Sequence, residues 1–365
     1  MSTVANNAAR FFLGATTPQG FTSCYQQSYN IDDYEYICIV KGGPCKQAFI
    51  NGVASKLASS DSKAEFIYSS LNPSSCDGVI LHSLKAAVID GSSPHSLEPR
   101  YYDAFETILT LGDYCDKEFI RSNKANIMHL TDTSSRLYER CVRFVNAAGS
   151  LLDDTYSLAL ACTDEDKVKA FCERTMLREI KQTLPRQAKE RSRFLSAITP
   201  DGIVLFEDTI RYYCKQLYII EDDFGAASNL ILQQVRSIAL KSGYDIICCW
   251  CPFSPFKKLE HVFIPALELG FVTSNRWHTL DHEGARIIHS RRFTSLEVLS
   301  VRKQRISFNK RAATELIDAA QKILKQSQEV SLELERIYMD ALDQKLLTKK
   351  IDETVSHILS LSGVN

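Results

Sequence analysis

The fold is decided by one stretch of the chain, which reads Ile37-Cys38-Ile39-Val40-Lys41-Gly42-Gly43-Pro44-Cys45-Lys46-Gln47-Ala48-Phe49. An apolar β-branched run is followed by glycines and then by an apolar segment with helical spacing, which continues through Ile50, Val53 and Leu57. A strand, a tight glycine turn and a helix form the context in which backbone N–H groups and a helix N-terminus bind phosphate. The stretch therefore predicts an α/β fold built around a nucleotide-type loop.

This loop departs from the phosphate-loop pattern G-x-x-x-x-G-K-[ST]. The second glycine is missing, and Lys46 is followed by Gln47 rather than by Ser or Thr. An amide is a weaker Mg²⁺ ligand than the hydroxyl that it replaces. We expect ATP and Mg²⁺ to bind weakly or not at all. The candidate nucleotide-binding residues are Gly42, Gly43, Pro44, Cys45, Lys46 and Gln47.

Composition bounds the class of protein. A chain of 365 residues holds about two domains, on a prior of roughly 150 residues per domain, and 45% apolar with 24% charged residues is ordinary globular composition. The net charge of −1 gives no general attraction to DNA or anionic lipid. Because no long apolar run and no apolar signal segment is present, we expect a cytoplasmic protein with no membrane partner.

Twelve cysteines are scattered along the chain without a C-x-x-C pair, so a zinc site of the usual spacing is not supported. Most of them are expected to be small reduced core residues. The cluster Cys248-Cys249-Trp250-Cys251 is compatible with metal binding or oxidant sensing. A buried strand end is the stronger interpretation, because neighbours on a strand point to opposite faces.

An internal repeat divides the chain into two copies of one unit. The segment beginning at Phe12 matches that beginning at Phe194, 182 residues later (194 − 12), and His95 matches His278 at 183. We predict tandem α/β domains at 1–190 and 191–365, with mainly parallel sheets because strands alternate with helices. A helical hairpin at about 116–187 and C-terminal helices at about 306–361 are expected to pack against the α/β core.

Comparison of the copies predicts that the first loop is two residues shorter than the second. The second loop has the length of a phosphate loop, but Ser228 stands in place of its lysine. Glu221, Asp222 and Asp223 place three negative charges at its mouth, which would repel a triphosphate. The second copy is therefore predicted not to bind ATP in the usual way.

Asp90 ends the apolar run Ala86–Ile89 and is the candidate catalytic and Mg²⁺-binding carboxylate of the first copy. A turn residue before Gly91 is an equally good interpretation. The second copy has Thr273 at this place and lacks the carboxylate.

Other polar residues give weaker signals. Arg100, Arg291 and Arg292 are candidates for neutralising phosphate charge, although such arginines are more often solvated. The symmetric pair His95 and His278 favours a structural role, with a general base in one copy as the alternative. Nothing is assigned to Asp77 or Asp103.

These motifs together resemble a family of uncharacterised bacterial, mostly Firmicute, tandem P-loop ATPase-like proteins whose loops are of the GGPGTGKST type. The resemblance covers nearly the whole chain and implies a P-loop NTPase fold in each half, a nucleotide ligand and Mg²⁺. Both loops here depart from the family pattern. The segments that carry the resemblance are 41–44, 77–80, 89–95, 111–113, 197–202 and 269–275.

The favoured hypothesis is a pseudo-ATPase that acts in binding or regulation through a protein partner. The alternative is an active ATPase or phosphotransferase that uses Lys46 and Asp90 of the first copy. Nucleic-acid binding through the basic residues 302–311 is the weakest hypothesis, because net charge and interleaved aromatic residues are both lacking.

Overall fold

The computed structural model describes residues 8–25, 33–61 and 63–361. Within these ranges the chain is a mixed α/β protein with two six-stranded sheets. None of the helices in the described ranges is long and apolar enough to cross a membrane.

The first half contributes strands to one sheet and one hairpin, and three of the four helices among its described residues follow the last strand. Its strands are β1 (Ala9–Phe11), β2 (Gly14–Thr17), β3 (Gly20–Ser23), β4 (Tyr36–Lys41), β5 (Ala64–Tyr68), β6 (Cys76–Leu81), β7 (Ala86–Asp90) and β8 (Glu106–Thr110). Its helices are α1 (Lys46–Leu57), α2 (Lys117–Ser122), α3 (Lys124–Leu160) and α4 (Glu165–Glu179).

The described part of the second half repeats this order, and a helix also precedes its central strand. Its strands are β9 (Glu190–Arg193), β10 (Ser196–Thr199), β11 (Gly202–Leu205), β12 (Gln216–Glu221), β13 (Ile246–Trp250), β14 (Leu259–Ile264), β15 (Leu269–Ser274) and β16 (Arg286–His289). Its helices are α5 (Glu207–Tyr213), α6 (Ala226–Lys241), α7 (Leu296–Ser300), α8 (Lys303–Ala341) and α9 (Gln344–Ser360).

Both sheets have the same topology. The strand order is β1-β5-β6-β7-β4-β8 in the first and β9-β13-β14-β15-β12-β16 in the second. The strand β6, like β14, runs antiparallel to both neighbours, and the other pairs are parallel. Asp90 lies opposite Val40 as Thr273 lies opposite Ile220. The two halves thus share one topology, as the internal repeat predicts, and the sheets are mostly parallel.

The strand β4 is buried on both faces, which explains its continuous apolar sequence. Ile37 and Ile39 face a core that also contains residues of the second half. Cys38 and Val40 face a second core, which includes Phe49 of α1. The alternation of side chains along a strand therefore distributes this one segment between two cores.

The long helices α3 and α8 pack against each other in antiparallel orientation. Near one end of the pair, Ser134 Oγ lies 2.8 Å from Ser331 Oγ. Near the other end, Arg305 Nε donates to Asp154 Oδ2 at 2.9 Å. Because α3 has 37 residues and a helix rises about 1.5 Å per residue, it can carry the chain from one sheet to the other.

The shorter helices that follow cross over between the halves. The helix α4 follows the first sheet but packs against α6 of the second, and α9 follows the second sheet but packs against α1 of the first. Packing of helices on the α/β core was expected, but packing on the opposite half was not. The predicted domain limit between 190 and 191 falls at the beginning of β9 and remains a prediction.

Candidate functional site

The first loop is a sharp turn from β4 into α1. Gly42 and Gly43 have φ values of 118° and 82°, a region that suits glycine. A Cβ atom on Gly42 would lie 2.6 Å from the backbone N of Leu111. This turn directs the N-terminus of α1, which has no side-chain cap, towards a cavity beside Lys46 and Gln47.

The second loop is closed by its own carboxylate. Asp222 Oδ1 accepts a hydrogen bond from the backbone N–H of Phe224 at 3.0 Å, and its Oδ2 accepts one from that of Ser228 at 2.9 Å. Ser228 lies in the first turn of α6. The carboxylate therefore occupies the N-terminus of α6, where a bound anion would interact with free N–H groups.

The prediction that the first loop is two residues shorter than the second is wrong. Residues 42–45 join β4 to α1, and residues 222–225 join β12 to α6, so each loop has four residues. The two extra residues arise after the loop, since α6 is four residues longer than α1 (16 against 12) and the connection from α6 to the next strand is two residues shorter (four against six). Both loops are short, and the second does not have the length of a phosphate loop.

In the first half, the structure brings together two residues that the sequence singled out. Lys46 Nζ lies 2.6 Å from Asp90 Oδ2, and both side chains are largely buried. Asp90 also accepts a hydrogen bond from the N–H of Ser92 through Oδ1 at 2.8 Å, so it is a turn residue as well. Burial raises the pKa of Asp90, while the ammonium of Lys46 opposes that shift.

Asp77 and His95 complete a buried polar cluster with Asp90. His95 Nε2 lies 3.3 Å from Asp77 Oδ2, and its Nδ1 lies 3.4 Å from Ser23 Oγ. One ligand atom from each of Asp77, Asp90 and His95 lies within 4.8 Å of the others. Sequence reasoning assigned no role to Asp77. The available signal was the internal repeat. Asp77, on the strand that pairs with β7, occupies the same place in the first half as Glu260 does in the second.

This cluster opens into a cavity of about 530 Å³ between the first loop and the helices α3 and α8. Of the six predicted nucleotide-binding residues, Pro44, Lys46 and Gln47 line the cavity, whereas Gly42, Gly43 and Cys45 do not. Its charged residues are one lysine, Lys46, and four carboxylates, Asp77, Asp90, Glu139 and Glu335. Hydroxyl and amide groups of both long helices form the opposite wall.

The second half has a smaller cavity, of about 190 Å³, at the equivalent place. Lys258 lies against the second loop, since a Cβ on Gly225 would be 2.4 Å from its Nζ. Although burial opposes the shift, nearby Cys251, Glu260 and Asp222 raise the pKa of Lys258. A lysine from another part of the chain thus meets the carboxylate that closes this loop.

Next to this cavity lies a second buried cluster, formed by Glu260, His261 and His278. Burial lowers the pKa of both histidines, which are therefore neutral. His278 Nε2 lies 3.1 Å from the carbonyl oxygen of Thr273, and its Nδ1 has no hydrogen-bond partner among the described residues. His95 and His278 thus occupy equivalent polar clusters in the two halves.

The remaining predicted residues lie elsewhere. Arg100, Arg291 and Arg292 are exposed and line neither cavity. The cysteine cluster is buried, and burial raises the pKa of Cys251 to about 12. This burial favours the interpretation of these thiols as protonated core residues.

Comparison of the chain with protein-family models, curated proteins and solved structures finds no match. Functional conclusions therefore rest on the residues and their geometry.

Proposed function

We propose that the chain is a pseudo-NTPase: a duplicated P-loop-like scaffold that acts in binding or regulation and does not hydrolyse ATP. Support for the scaffold comes from the strand–loop–helix unit at β4 and α1, with Asp90 at the end of the adjacent strand β7. The same unit is repeated at β12 and α6.

The observation that carries this proposal is the position of Asp222. One carboxylate oxygen accepts a hydrogen bond from the N–H of Phe224 in the loop, and the other accepts one from the N–H of Ser228 in the first turn of α6. A phosphate at this helix N-terminus would compete with a covalently attached carboxylate and would be repelled by its charge. The second half therefore has no free anion site at its loop.

The first half is poorly suited to a triphosphate for a different reason. Its cavity has four carboxylates against one lysine, and that lysine is paired with Asp90. Gln47 replaces the hydroxyl residue that holds Mg²⁺ in a phosphate loop, so the Mg²⁺ site implied by the resemblance does not fit the residues present. The uncapped N-terminus of α1 supports, at most, weak nucleotide binding here.

ATP-dependent thermal stabilisation tests the proposal, because a ligand of the native state raises its stability. We expect no ATP hydrolysis, with or without Mg²⁺, and little shift of the unfolding midpoint at millimolar ATP. The key variant is Lys46→Ala. The matched control is Lys56→Ala, an exposed lysine on the same helix. Turnover that Lys46→Ala abolishes and Lys56→Ala preserves would establish the active ATPase instead.

A protein partner is part of the same proposal. Support comes from apolar side chains that remain exposed near the beginning of α8: Val298, Val301 and Phe308. A Val301→Asp variant is expected to keep its unfolding midpoint and to lose association with the partner in co-purification. Unchanged association would place the partner on another surface.

A further inference from the structure

We propose that Asp77, Asp90 and His95 form a binding site for a divalent transition-metal cation of the Mn²⁺ or Zn²⁺ class, which binds without nucleotide. The proposal does not depend on the pseudo-NTPase assignment. It concerns direct coordination by three side chains, not an Mg²⁺ ion held between a loop hydroxyl and a phosphate.

The geometry fits direct coordination. Three ligand atoms lie within 4.8 Å of one another, and the Asp77 Oδ2 to His95 Nε2 distance is 3.3 Å. Ligands at about 2.0–2.2 Å from one cation are separated by roughly 3–4 Å from each other. The ligands come from β6, β7 and the segment after β7, so the sheet fixes two of the three.

The histidine ring is held in place by its surroundings. The rings of Phe21 and Tyr25 contact it edge-on, with centroids at 4.9 and 4.6 Å. Its Nδ1 is 3.4 Å from Ser23 Oγ, the kind of hydrogen-bond partner that orients a metal-binding histidine. When Nδ1–H donates to Ser23, the lone pair of Nε2 faces the carboxylate of Asp77, and a cation between them satisfies both groups.

The charge of the cavity favours the same class of ligand. Of the four carboxylates that line the cavity, Asp77 and Asp90 are buried, and two buried carboxylates against one lysine are costly without a further cation. Nitrogen from histidine selects first-row transition metals over Mg²⁺ or Ca²⁺. The ammonium of Lys46, which is paired with Asp90, is the competitor of the metal. Glu335 lines the same cavity, where its carboxylate feels the charge of this ammonium.

The second half lacks the complete set. Glu260 and His278 occupy the equivalent positions, but Thr273 replaces the aspartate. Its own cluster of Glu260, His261 and His278 has one carboxylate where the first has two, and the backbone N of Thr273 donates to His261 Nδ1 at 3.3 Å. The half with Asp77 and Asp90 offers two carboxylates and is therefore the proposed site, and a His278→Gln variant distinguishes it from the cluster in the other half.

Metal titration of the full-length chain tests this site. Chelator-treated protein is titrated with Co²⁺ by visible absorption, and with Zn²⁺ and Mn²⁺ by calorimetry, all without nucleotide. We expect one equivalent to bind. Asp77→Asn and His95→Gln are expected to weaken binding at least ten-fold, while His278→Gln and the surface control His129→Gln leave it unchanged.

Lys46→Met provides a readout that misfolding cannot mimic. Removal of the competing ammonium is expected to strengthen metal binding several-fold, whereas removal of the same ammonium weakens any ATP binding. The unfolding midpoint of each variant is measured in parallel. The absence of binding to the wild-type chain, binding that survives both Asp77→Asn and His95→Gln, or weaker binding in Lys46→Met would each overturn the proposal.

Discussion

Glu65 and Arg193 form a fully buried ion pair that joins the two halves, although 128 residues separate them along the chain. Arg193 donates to Glu65 Oε2 through Nε at 3.0 Å and through Nη2 at 2.8 Å. The hydroxyl of Tyr213 donates to the other carboxylate oxygen at 3.0 Å. A carboxylate on β5 of the first sheet thus takes its arginine and tyrosine partners from the second half, while His82 of the first half lies 3.0 Å from its Oε1.

The first prediction is that breaking this pair strongly destabilises the protein. Arg193→Met leaves an unpaired buried carboxylate, and such losses cost about 3–5 kcal/mol. The free energy of unfolding in urea is the measurement. The control is Arg186→Met, which breaks the exposed pair with Asp245 and should cost less than about 1 kcal/mol. Similar losses in both variants would contradict the structure.

The second prediction concerns acid stability. Burial alone would raise the pKa of Glu65. The charges of Arg193 and His82 nevertheless hold this pKa well below its usual 4.5. A group with a lowered pKa in the folded state stabilises that state above its unfolded pKa and loses this contribution as pH falls through the folded pKa. The difference in the free energy of unfolding between wild type and Glu65→Gln should therefore be constant above about pH 5. It should shrink as the pH falls below the usual pKa of a glutamate. Urea unfolding of both proteins from pH 7 to pH 3 measures it, and a difference that grows in acid would refute the assignment.

Much of the sheet could be predicted from the sequence because its signals are local. Continuous apolar runs place β4 and β12, and the repeat places their partners in register. The pairing of Lys46 with Asp90 follows from the rule that adjacent parallel strands end at the same edge.

The remaining features depend on contacts that the sequence does not display. The spacing between matching residues of the two copies shows that the second copy has two additional residues. It does not show that these residues belong to the region of α6 rather than to the loop. The crossing of α4 and α9 to the opposite halves depends on packing between distant surfaces. No role was assigned to Asp77 because a lone aspartate at the beginning of a strand has no local pattern.

The third prediction tests the self-capped second loop. Asp222→Ala removes one hydrogen bond to the loop N–H of Phe224 and one to the N–H of Ser228 in the first turn of α6, and should cost about 1–2 kcal/mol, as the loss of an N-cap does. It should also open an anion site, so inorganic phosphate should stabilise this variant more than wild type. Asp223→Ala is the control, because that side chain is exposed and pairs only with Lys310 among the described residues. Equal phosphate effects in both variants would show that Asp222 does not occupy an anion site.

The fourth prediction tests the crossing helices. Ile351 of α9 is buried against α1, where its Cδ1 lies 2.6 Å from the position of a Cβ on Gly52. Ile351→Ala should therefore cost about 2–5 kcal/mol. Leu346→Ala, at a half-exposed position of the same helix, should cost much less. Urea unfolding compares the two variants.

Hydrogen exchange can then locate the damage. Because α9 covers α1 rather than α6, the amides of α1 in the first half should lose protection in Ile351→Ala, although the substitution lies more than 290 residues further along the chain. The amides of α6 should keep their protection. Loss confined to the second half would mean that the helices do not cross, and each half would then be covered by its own helices.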